Sequence, residues 1–143
     1  MAHHARRGCL RPHHDLRSSC ASYKLGVFDD KHLEGLSRLA TAIKANNSVA
    51  ICQIHHAGMR SPAEIIDTTP VCPSDNEETG SRALSTEEVQ QLVADFVAAA
   101  VRSEQAGFDG VEIHGAHGYV LCQFLSSEVN HCLNRTPMVN MIK

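Results

Sequence analysis

Apolar and polar residues recur with two different periods along the middle of the chain, and each period predicts a kind of element. Asp29 and Asp30 offer a helix N-cap, and Leu33, Leu36, Ala40 and Ile43 follow at helical spacing before Asn46 and Asn47 supply a stop. The run SVAICQI is short and rich in strand formers, and it ends in HHAGMR, which has loop chemistry. The polar stretch holding Pro62, Pro70 and Pro73 predicts little regular structure. Ser85 and Glu88 have the spacing of a capping box, in which each side chain satisfies a backbone N–H at a helix start. Val89, Leu92, Val93, Phe96 and Ala100 then share one helix face, and Gly107 ends that helix in the left-handed conformation glycine tolerates. FDGVEIH reads as a second strand, followed by a glycine-containing loop and a short helix from about Val120 to Ser127.

Helix, strand, loop, helix, strand, loop, helix is the order that parallel strands with helical crossovers require, so the expected class is α/β. Two strands cannot shield their own edges, so the pattern predicts a piece of a larger design or a chain that depends on partners. Residues 24–130 carry the pattern. Residues 1–23 read as an irregular arm and residues 131–143 as a divergent tail, with abrupt breaks at 23 and 131. A shift of reading frame at both ends would produce such breaks.

Composition narrows the function. At 143 residues there is room for one domain with a real core. Thirteen Lys and Arg against 16 Asp and Glu give no basic surface for a nucleic acid. No apolar run approaches the roughly 20 residues that span a bilayer. The basic first 20 residues lack the apolar centre of a secretory signal. Cys9, Cys20, Cys52, Cys72, Cys122 and Cys132 are dispersed without a CxxC pair, which favours a reducing, cytoplasmic setting over a disulfide framework.

The chemically capable residues sit at the carboxyl ends of the two strands: Gln53, His55 and His56 after the first, His114, His117 and Tyr119 after the second. Parallel α/β folds place ligands at that end. Alternation along the second strand sends Glu112 and His114 to one side and Val111 and Ile113 to the other, so His114 is expected to face a ligand while Ile113 packs under outer helices. Three readings of His114, His117 and Tyr119 stay open. H-x-x-H holds a metal when further ligands exist, but no H-E-x-x-H accompanies it. Two hydrogen-bonded histidines beside a packed tyrosine are common in cores. A pair of imidazole N–H donors can also hold an oxygen while a phenol of pKa about 10 delivers a proton. A separate reading makes this a small metal-binding protein using Cys9, His13, His14 and Cys20, with His55 and His56 in reserve.

QIHHAGMRSP and PVCPSDNEETGSRALSTEEVQQLVADFVAAAVRSEQAGFDGVEIHGAHGYVLCQFLSSEVN together resemble the Old Yellow Enzyme family, the NADH:flavin oxidoreductases. The resemblance starts near LGVFDDKHLEGLSRLATAIKA and runs to Asn130, and AGFDGVEIHGAHGY is its most specific stretch. It implies a partial TIM (β/α)8 barrel, roughly the third and fourth βα units. It also implies FMN as cofactor and NAD(P)H as reductant, with an activated alkene or quinone-like acceptor as substrate. By the same resemblance Gln53 binds the flavin pyrimidine ring, His114 and His117 hold the substrate oxygen, and Tyr119 donates the proton. The rest of such a barrel is missing, so weak folding, poor FMN binding and little turnover are expected. The rival expectation is a non-catalytic fragment that self-associates through its exposed sheet edges.

Overall fold

The computed structural model describes residues 8–9, 25–66 and 68–131. Four short strands, β1 (Gly8–Cys9), β2 (Leu25–Gly26), β3 (Ile51–His55) and β6 (Gly110–Ile113), form one sheet in the order β2-β1-β3-β6. Every pairing in it is parallel. Between β3 and β6 lie β4 (Val71–Cys72) and β5 (Arg82–Ala83), which pair only with each other. Two-residue strands leave no alternation to detect, and neither β1 nor β2 is visible as a pattern in the sequence.

Helices α1 (Leu33–Lys44) and α3 (Thr86–Gln105) cover one face of this sheet, with the short α2 (Ala63–Ile66) and α4 (Val120–Leu125) in the connections. Leu36 and Ala40 of α1, Leu92, Phe96 and Ala99 of α3, and Cys52 and Ile54 of β3 meet in a single core. Burying each large aliphatic or aromatic side chain there contributes about 1.5–3 kcal/mol. The start of α3 is built as its sequence requires. Ser85 Oγ accepts the Glu88 N–H at 3.2 Å and the Glu88 carboxylate accepts the Ser85 N–H at 2.8 Å, while Arg82 grips the same carboxylate through two nitrogens. Gly107 stands at φ +90° just past the end, and Asn47 at φ +58° follows α1.

Asp109 ties the two strand starts to the end of α1. Its carboxylate accepts from Lys44 Nζ at 2.7 Å and from the Ala50 N–H at 2.8 Å. The Lys44 ammonium, aided by that N–H, holds the Asp109 carboxyl below the usual range.

The register places Cys52 beside Val111, Gln53 beside Glu112 and Ile54 beside Ile113. Residues 52 and 54 thus share a face with 111 and 113, the face that carries the helices. Ile113 does not pack under them as expected. It is 58% exposed, and Val111 is also exposed. The cause is position: β6 is the sheet's edge, and although α3 packs against both β3 and β6, among the described residues no further helix covers the outer flank of β6. Among the same residues no helix is long and apolar enough to cross a membrane.

Candidate active site

The opposite end of β6 delivers the histidines. The His114 N–H donates to Ile54 O at 3.0 Å, extending the ladder by one rung and leaving the side chain at the strand's carboxyl end. The chain then reverses through Ala116–Tyr119, closed by the Tyr119 N–H on Ala116 O at 3.2 Å. The two central residues, His117 (φ +57°) and Gly118 (φ +67°), are both left-handed. That is the form of a type I′ turn, which glycine enters freely and histidine enters at a cost of about 1 kcal/mol. The strained turn folds His117 back on His114, with His117 Nδ1 3.2 Å from His114 Nε2. At that distance the two nitrogens share one hydrogen bond, one donating and the other accepting according to tautomer. An oxygen set beside the pair, about 3 Å from each, can take an N–H from both when each of these nitrogens carries its proton.

Tyr119 completes the cluster. Its ring meets His114 edge-on with centroids 5.2 Å apart, and it stacks on His55 at 4.9 Å with the planes 24° apart. His55, at the end of β3, is fully buried. The histidine that sequence reasoning assigned to the loop is therefore the floor on which the phenol rests. No spacing rule joins residues 55 and 119; only the parallel pairing of β3 with β6 brings them together.

His56 has a different task. It is buried, and its Nδ1 accepts the Gly58 N–H at 3.0 Å, while its carbonyl accepts the Val120 N–H at 3.0 Å. Burial pushes its pKa down to about 4, so the ring is neutral. Gln123 of α4 locks the same loop. Its amide donates to Ala57 O at 3.2 Å and Gly118 O at 2.6 Å, and its oxygen accepts the Met59 N–H at 3.2 Å. One glutamine thus ties the loop after β3 to the residue preceding Tyr119. Sequence reasoning missed it, although a lone amide in the apolar run VLCQFL was a usable signal.

Gln53 lies on the sheet face away from the helices. Its Nε2 donates to Glu112 Oε1 at 3.0 Å. Its Oε1 is shielded from solvent and has no hydrogen-bond partner among the described residues. An unpartnered buried oxygen costs about 1–3 kcal/mol unless a ligand N–H reaches it. A flavin pyrimidine ring has such an N–H between two carbonyls, so this amide fits FMN. For a metal the fit fails: among the described residues no group of three or more His, Cys, Asp or Glu is placed to hold one. His13, His14 and Cys20 of the metal-binding reading lie outside the described residues.

Comparison with known proteins shows the family and the fold. The profile of the NADH:flavin oxidoreductase / NADH oxidase family matches residues 12–136. A probable NADH-dependent flavin oxidoreductase of Bacillus subtilis, YqiG, is 44% identical over 113 residues, covering 76% of this chain and 30% of the relative. An NADH oxidase of Thermoanaerobacter brockii is 38% identical over 117 residues, covering 78% of this chain and 18% of the relative. The solved Old Yellow Enzyme homologue of Zymomonas mobilis superposes with a TM-score of 0.82 at 25% identity, over 92% of this chain and 39% of that one. The chain thus spans about two fifths or less of the length of these proteins, and its parallel βα units are part of a TIM barrel. It belongs to the NADH:flavin oxidoreductase / NADH oxidase family.

Proposed function

We propose that this chain carries the substrate-activating wall of an FMN-dependent, NAD(P)H-driven ene-reductase. The observation that carries the reading is the convergence of His114 Nε2 and His117 Nδ1, 3.2 Å apart, beside the Tyr119 ring at the carboxyl end of a barrel strand. His114 and His117 hold the carbonyl or nitro oxygen of an activated alkene, or the oxygen of a quinone-like acceptor. Two N–H donors there draw electron density toward the oxygen and make the distant alkene carbon electrophilic. Tyr119 supplies a proton to the carbon next to the activating group, and His55 keeps the phenol ring at a fixed angle to His114. Gln53 holds the flavin pyrimidine edge. The chemistry FMN supplies when bound is hydride transfer, from NAD(P)H to the alkene.

Supporting this reading are the family membership, the Gln53 oxygen without a partner among the described residues and the strained turn that brings His117 against His114. The test is NADPH oxidation with a cyclic enone and excess FMN, comparing wild type with Tyr119→Phe. Loss of the phenol proton is expected to lower the flavin-dependent rate about 100-fold. Equal rates in the two proteins would remove Tyr119 from the reaction, and no FMN-dependent oxidation at all would count against the reading.

A further inference from the structure

We propose that Glu112 is a positioning residue that fixes which atom of Gln53 faces the cofactor. The inference rests on the flavin reading of Gln53 and adds to it the group that sets its polarity. Gln53 and Glu112 are register partners on adjacent parallel strands, so their side chains leave the same face side by side. Gln53 Nε2 donates to Glu112 Oε1 at 3.0 Å. An ionised carboxylate only accepts, whereas an amide has a donating and an accepting end. Turning the Gln53 amide over would set two oxygens against each other at that distance, so only one orientation is compatible with Glu112.

That orientation has a chemical consequence. The nitrogen is drawn to Glu112, and the oxygen is left as the buried, unpartnered atom. A site at this level of the barrel therefore presents an acceptor and selects a ring N–H, as in a cyclic imide, over a ring that carries only acceptors. The second Nε2 proton remains for a carbonyl flanking that N–H, so the amide matches the donor–acceptor edge of a pyrimidinedione. Without Glu112 the amide has two orientations of similar energy, and half of its recognition is lost.

The test reads Gln53 directly. In a ¹H–¹⁵N spectrum of the labelled full chain, the Gln53 side-chain NH₂ pair is identified by its disappearance in Gln53→Met. In wild type, one pair is expected, displaced by the carboxylate bond. In Glu112→Leu the pair is expected to move by several linewidths toward the other glutamines while the backbone pattern persists. In Glu112→Gln, which keeps the volume but can face the amide with either end, the pair is expected to broaden or double. A Gln53 pair left in its wild-type place by either folded variant would overturn the proposal. The comparison needs no flavin, so its failure is distinct from failure of the flavin reading, which FMN titration of the wild-type chain reports.

Discussion

Gly58→Ala is expected to destabilise the fold by about 3 kcal/mol or more and to loosen the site with it. Two effects combine. Gly58 sits at φ +61°, where an alanine is strained by about 1–2 kcal/mol. A Cβ at this position would also run into Gln123 Oε1, a nearly fully buried group. Gln123 would have to abandon its bonds to Met59, Ala57 and Gly118, leaving buried polar groups unpaired. Because Gly118 precedes Tyr119, the disturbance reaches the proposed proton donor. Gly35 is the control, an exposed glycine within α1 with nothing near its absent Cβ. Gly35→Ala is expected to stabilise by about 0.5–1 kcal/mol. Urea denaturation of both variants checks the pair. A Gly58→Ala midpoint equal to wild type would mean that the Gln123 contacts do not hold the loop.

The second large effect is a dependence on pH set by His56. Its folded pKa, about 4, lies below the ordinary 6.5 because burial penalises the imidazolium. The folded chain thus binds fewer protons than the unfolded one between those values. The contribution is fully present above about 6.5 and falls away as pH drops toward 4, with a total of order 3 kcal/mol. Protonation would also take the Nδ1 acceptor from the Gly58 N–H. The paired carboxylates act in a lower window. Arg82 lowers Glu88 and Lys44 lowers Asp109 from ordinary values of 4.5 and 3.8, so their contributions persist until the pH falls below that range. His56→Asn, which offers an oxygen near the place of Nδ1 and does not titrate, is expected to be less stable at pH 7 but to lack most of the slope between 6.5 and 4. Equal slopes in the two proteins would assign the window to another group.

What the sequence made legible was whatever depends on residues close together in the chain. The Ser85–Glu88 box, the apolar face from Val89 to Ala100 and the turn at Gly107 are local devices, and each is present in the structure. The His114, His117 and Tyr119 cluster was legible as a spacing, but its geometry was not. The approach of His117 to His114 depends on two successive left-handed residues, which the letters HG do not announce. The stack of Tyr119 on His55, the Gln123 lock and the Gln53–Glu112 pair all join residues about 60 apart, and they exist only once β3 and β6 are in register. Ile113 shows the converse error. Its alternation with Glu112 correctly named its face, but no periodicity within one strand says whether a helix lies over that face.

The central claim is that these strand ends form a flavin-dependent site. Titration of the purified chain with FMN, followed by quenching of flavin fluorescence, tests it most directly when wild type and Gln53→Leu are compared. The account predicts weak but saturable binding at one flavin per chain, reduced about tenfold by removal of the amide. Absence of saturable binding, or identical curves for the two proteins, would contradict it.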